Sequence, residues 1–146
     1  MLQTLFSSGT LPLLEKMARF GERRQQVLAQ NIAQAGTPNY HMQDLDVEGF
    51  HQALRSAVEL QRQSKRTGPA VSGDNTQSTA LKTLFSDELF RSRDARQRNI
   101  TFQDGNNRSV EFQIAEMQKN TMMQRFAIEL MTSQMNMLQT AISERA

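Results

Sequence analysis

A chain of 146 residues with 38% hydrophobic residues, 6% aromatics and no Trp is the size of one ordinary domain but sparing in core-forming side chains. Its 17 basic and 15 acidic residues leave a formal charge of +2, too small a surplus to demand nucleic acid as a partner. The lack of Cys excludes disulfides and thiolate chemistry, and no apolar run approaches the roughly 20 residues that span a bilayer.

Residues 1–14 have no basic leading region, and their apolar side chains are interrupted by Ser7, Ser8, Gly9 and Thr10, so they do not read as a cleavable secretory signal. Thr10 as N-cap, Pro12 in the first turn and Glu15 near the positive end of the dipole predict a first helix over 11–35. Alternating steps of four and three run through Leu14, Ala18, Gly21, Gln25, Leu28, Ile32 and Ala35, flanked by Leu13, Met17, Phe20 and Val27. That is a packing seam of coiled-coil spacing. Gly36, able to take positive φ, is expected to close the helix, and Pro38 forbids its continuation. Pro38 and Asn39 suit the two central positions of a turn, since Pro fixes φ and Asn tolerates the left-handed region.

Asp44 and Asp46 are both candidate caps for a second, amphipathic helix reaching Arg66, on which Val47, Phe50, Leu54, Ala57 and Val58 recur at helical spacing. The stretch 67–79, with two Gly, one Pro and many small polar residues, reads as a loop, 81–90 as a short helical piece, and Ile100 and Phe102 alternate as a short strand would. The last helix has the strongest periodicity. From Val110 the walk reaches Ile114, Met117, Thr121, Gln124, Ile128, Met131, Met135, Leu138 and Ile142, with Met123, Ala127, Leu130, Gln134, Met137 and Ala141 widening the stripe. Such a helix, about 50 Å long at 1.5 Å per residue, is too long to be covered by the rest of the chain and calls for partners along its length.

The expected fold is therefore mainly α, with long N- and C-terminal helices packing together, a shorter helix, and an irregular polar middle with room for a short strand. The divisions expected are 1–40 for the first helix and turn, 41–66 for the second helix, 67–105 for a variable loop region and 106–146 for the closing helix. The terminal helices form one helical core domain. The assembly seam is assigned to Leu14, Ala18, Gly21, Leu28, Ile32, Val110, Ile114, Met117, Ile128, Met131, Met135, Leu138 and Ile142.

Little in the sequence suggests chemistry. His41 and His51 are the only histidines and lack the companions a zinc site requires. No nucleophile elbow, phosphate loop or acid–base pair in a recognisable setting occurs, so neither catalysis nor a cofactor or metal is expected. Arg91, Arg93, Arg96 and Arg98 are interleaved or bordered by Asp87, Glu88 and Asp94 and read as a solvated or interface surface.

The segment 24–40, RQQVLAQNIAQAGTPNY, resembles the N-terminal signature of bacterial flagellar rod and hook proteins. Asn31, Ile32, Ala33, Ala35, Thr37, Pro38 and Tyr40 fall on the pattern, while Gln34, Gly36 and Asn39 depart from it. Asp44-Leu45-Asp46, Phe50, the later Asp104-Gly105-Asn106-Asn107 and the ending Met137-Leu138-Gln139-Thr140-Ala141-Ile142 are most similar to the proximal rod members of that family. Arg108 and Ser109 intervene where the pattern passes directly into the last helix, and the middle, 66–103, carries almost none of the likeness.

The resemblance implies a structural subunit exported without a cleaved signal through the flagellar type III apparatus. It further implies polymerisation in the periplasm into the rod of the basal body, beside copies of itself, other rod proteins, and membrane-ring and export-gate components, with no nucleic acid or small-molecule substrate. Two alternatives stay open: another proximal rod subunit of the same family, and a soluble helical adaptor or export chaperone whose Met-rich helix grips a partner.

Overall fold

A computed structural model describes residues 10–66, 75–95 and 110–143. The elements in order are α1 (Leu11–Ala33), β1 (Gln43–Asp44), α2 (Val47–Arg66), α3 (Asn75–Leu84), a 3-10 turn (Asp87–Phe90), β2 (Arg93–Asp94) and α4 (Val110–Ser143). The architecture is mainly α, with the long first and last helices packed against one another.

α1 starts where Pro12 needs no partner for a missing amide hydrogen and where the Thr10 carbonyl accepts from the amides of Leu13 and Leu14, each at 3.1 Å. Thr10 caps only through its backbone. Its dihedrals are already helical, and its hydroxyl meets Gln134 of α4 instead.

The helix stops at Ala33, two residues before the expected end, because the turn tightens. Ala35 donates to Ile32 at 3.3 Å and Thr37 to Gln34 at 2.9 Å. The expectation that Gly36 closes α1 in the left-handed region is not met. Gly36 does not take positive φ, and a Cβ there would meet nothing within 4 Å. The left-handed residue is Asn39, with φ 57°, at the third position of a turn in which Tyr40 donates to the Thr37 carbonyl at 3.4 Å. Its side chain can bond locally, which makes this conformation cheaper than for other residues with a Cβ.

Asp46 caps α2, accepting from the Gly49 amide at 2.8 Å through its carboxylate and from Phe50 at 2.9 Å through its carbonyl. A Cβ on Gly49 would come within 2.7 Å of that carboxylate, so the tight cap depends on this glycine. Asp44, the other candidate, is engaged elsewhere. Residues 75–79, expected to be loop, belong to α3, which with the 3-10 turn occupies most of the described part of the middle. The strand expected around Ile100 and Phe102 lies outside the described residues. The strand pair that is described joins Gln43 to Asp94 and Asp44 to Arg93, antiparallel.

The hydrophobic core lies between one face of α1 and the middle of the chain. Leu13, Phe20 and Val27 meet Leu45, Phe50, Ala53, Ala57 and Phe85, with Met17, Leu54, Val58, Leu81, Leu84 and Phe90 against them. The Phe20 and Phe50 rings stack at 3.9 Å, and Phe90 stands edge-on to both. α4 contributes nothing to this cluster. It lies antiparallel along the neighbouring face of α1, where Gly21 sits one residue on from Phe20 of the core row.

Asn39→Val should lower stability by about 1–2 kcal/mol, the penalty for a branched side chain at positive φ. Asn39→Gly and Gly36→Ala should each stay within about 1 kcal/mol of the parent, since Gly36 has open space and a φ outside the left-handed region. Urea titrations of the three variants check the assignment.

Candidate functional site

The residues that resemble a family signature converge on one buried side chain. Asn31 is completely buried near the end of α1. Its Nδ2 donates to the Gln43 carbonyl at 2.6 Å and to Gln113 Oε1 on α4 at 3.1 Å, and its Oδ1 accepts from Tyr40 Oη at 3.1 Å and from the Gln43 amide at 3.0 Å. An Asn side chain offers two donors and an acceptor with two lone pairs, and here all four are used. The left-handed turn at Pro38-Asn39 is what returns Tyr40 and Gln43 to the helix they have just left. Thr37 Oγ1 donates to Gln34 Oε1 at 2.7 Å and steadies the turn from outside. Ile32 and Ala35 are half-buried, and Ala33, Gly36, Pro38 and Asn39 are exposed.

Two turns earlier Arg24 makes a second junction. Its guanidinium, with only 7% of the side chain exposed, grips Asp44 with Nε at 2.9 Å and Nη2 at 2.8 Å, and reaches Glu116 Oε2 on α4 at 2.8 Å. The planar fork suits a carboxylate as an ammonium would not. Burial alone would lower the Arg24 pKa, but Asp44 and Glu116 outweigh it and raise it. Burial alone would raise the Glu116 carboxyl, but hydrogen bonds and charge from Lys119 and Arg24 prevail and hold it below its ordinary value.

The same polar character continues down α4. Asn120, 1% exposed, donates through Nδ2 to the Gly21 carbonyl at 2.8 Å and to Gln25 Oε1 at 2.9 Å. The absence of a side chain on Gly21 permits this approach, since a Cβ there would lie 3.2 Å from Gln124 Cβ. Gln134 reaches the Thr10 hydroxyl. Gln113, Asn120, Ala127 and Gln134, seven apart, thus form the line of α4 that faces α1.

This seam differs from the expected one by a rotation. Leu14, Gly21 and Leu28 are buried, and Ala18, Ile32, Val110, Met117, Met131 and Leu138 half-buried. Ile114, Ile128, Met135 and Ile142, assigned to the seam from the apolar walk, are exposed by 43%, 48%, 48% and 55%. Phe112, Phe126, Leu130 and Met137 are exposed as well. Placed on a helical wheel at about 100° per residue, these fall into two flanks, Ile114, Ile128, Met135 and Ile142 on one side of the polar line and Phe112, Phe126, Leu130 and Met137 on the other.

Elsewhere the described surface is polar or mixed. His41 and His51 are exposed, and no three His, Asp or Glu among the described residues lie together as metal ligands would. Arg93 lies near Asp46 at 3.4 Å and Glu88 at 3.7 Å, while Arg96 and Arg98 lie outside the described residues. No described helix is long and apolar enough to cross a membrane. Sequence reasoning missed Arg24, Asp44, Gln113, Glu116 and Asn120. The recurrence of Gln113, Asn120 and Gln134 at multiples of seven was the available signal.

No protein-family model matches the chain, and no curated protein matches it.

Arg24→Met should cost about 3 kcal/mol at neutral pH, because two partly buried carboxylates lose their cation. Since the folded pKa of Glu116 is depressed, its contribution is present above the ordinary carboxylate value of about 4.3 and is lost as pH falls through the lower folded value. Glu116→Gln should therefore flatten the acid limb of a plot of melting temperature against pH.

Proposed function

We propose that the chain is a structural subunit of the bacterial flagellar rod, in the position of the proximal rod protein FlgB, and that it works by helix packing without catalysis or cofactor. The observation that carries this reading is the clustering of the signature-like residues. Asn31 and Tyr40 meet in a hydrogen-bonded knot that fastens the end of α1 to α4 through Gln113. This gives the resemblance a mechanical meaning, a device for joining the two ends of a chain into one rigid element. The exposed apolar flanks of α4 support the same reading, since one chain leaves uncovered what a polymer of such elements would bury.

In this reading the subunit leaves the cell interior through the flagellar export apparatus, joins the rod in the periplasm, and contacts copies of itself, other rod proteins, and ring and export-gate components. The exposed Met122, Met135 and Met137 also suit an adaptor that grips an export substrate.

Deletion of the gene in its source bacterium should abolish motility and leave basal bodies without rods, and the chain should be a component of basal bodies isolated from the parent. Ile128→Asp, at an exposed position, should shift the stability of the isolated chain by no more than about 0.5 kcal/mol yet fail to restore rods. Intact rods after deletion would overturn the proposal. A stable one-to-one complex with an export substrate, formed by a chain absent from basal bodies, would favour the adaptor.

A further inference from the structure

The arrangement of α4 opposes its own hydrophobicity. Turning the helix by one residue, about 100°, would bring Ile114, Thr121, Ile128 and Met135 onto α1 in place of Gln113, Asn120, Ala127 and Gln134 and would remove more apolar surface from water. Hydrophobic burial therefore favours the rotated pairing. What opposes it is the hydrogen bonds and the ion pair of the inward line, which rotation would break while leaving Asn31, Arg24 and the Gly21 carbonyl on α1 without their present partners on α4. A slip of seven residues along the seam is opposed in the same way, since it would set Met123 against Arg24 in place of Glu116, and Ala127 against Gly21 in place of Asn120. Asn120 achieves this while its own Oδ1 has no hydrogen-bond partner among the described residues, so the position is not optimised for stability.

We propose that Gln113, Glu116 and Asn120 are the specificity-determining residues of helix pairing: they lock the rotation and register of α4 on α1 and so keep both apolar flanks of α4 turned away from their own chain. A buried polar residue in an otherwise apolar seam is an established means of fixing register at a cost in stability. Here three such residues, spaced three and four apart, act over two turns. The lock holds whichever partner the flanks serve, so it stands apart from the rod reading.

The native chain has no Cys, so introduced thiols alone report on the pairing. Gly21→Cys combined with Gln124→Cys matches the seam, because the Cβ separation of 3.2 Å lies just below the range of disulfides. Gly21→Cys with Arg125→Cys reports rotation, and with Met131→Cys a seven-residue slip. In the otherwise native chain the Gln124 pair should outyield the other two by roughly tenfold, the discrimination expected when misalignment strands buried polar groups.

In the Gln113→Leu, Glu116→Met, Asn120→Leu background that preference should fall to near equality, and the melting temperature should drop because Asn31 and Arg24 stay buried with fewer partners. The proposal is overturned if the preference survives in the triple variant with helical content intact. If the triple variant loses its helical signal, Asn120→Leu alone decides. Its preference should fall at least severalfold with the melting temperature maintained, and an unchanged preference overturns the lock.

Discussion

Asn31 is the point on which the structure depends. A completely buried amide is tolerable only when its donors and acceptors are used, and here four bonds reach three parts of the chain: the turn through Tyr40, the strand through both backbone groups of Gln43, and the closing helix through Gln113. The left-handed Asn39, the short strand and the antiparallel seat of α4 follow from meeting that demand. Arg24 repeats the arrangement two turns away with charge, tying Asp44 beside the strand to Glu116 on α4.

The two faces of α1 do different work. One completes the aromatic core with α2, α3 and the 3-10 turn, where Phe20 and Phe50 are entirely buried and dispersion and hydrophobic burial provide the stability. The other meets α4 through amides, a carboxylate, a hydroxyl and a glycine set among the buried Leu14, Leu28 and Ala127. Such a seam binds less strongly than an apolar one but admits few alignments, so the helical pair is specified more by hydrogen-bond partners than by area. The apolar side chains of α4 are then free to supply binding area to another molecule.

This division explains how much of the molecule was legible in its sequence. Helix bounds were largely readable because local signals set them: Asp46 before Val47, Pro12 at the start of α1, and the unbroken periodicity of α4. The turn was assigned correctly at Pro38-Asn39, but Gly36 was credited with a conformation that the tightened last turn of α1 does not require. α3 begins within a stretch whose Asn, Gln, Ser and Thr side chains resemble a loop in composition. The seam was displaced by one residue, Ile114 for Gln113 and Ile128 for Ala127, because an apolar walk marks the side chains that gain by leaving water and is silent on which molecule covers them. The α4 partners of Arg24, Asn31 and Gly21 lie some 80 to 100 positions away, and no local pattern announces a hydrogen bond across that separation.

The central claim is that the chain fastens its own ends through polar groups and leaves the apolar flanks of α4 uncovered. Oxidation of methionines in the dilute monomer measures this side chain by side chain, since conversion to the sulfoxide follows solvent access. Met122 and Met137, exposed by 74% and 65%, should react rapidly, and Met42, exposed by 4%, slowly. Protection of Met137 to the level of Met42 in the monomer would mean that the chain covers its own flank, and would contradict the account.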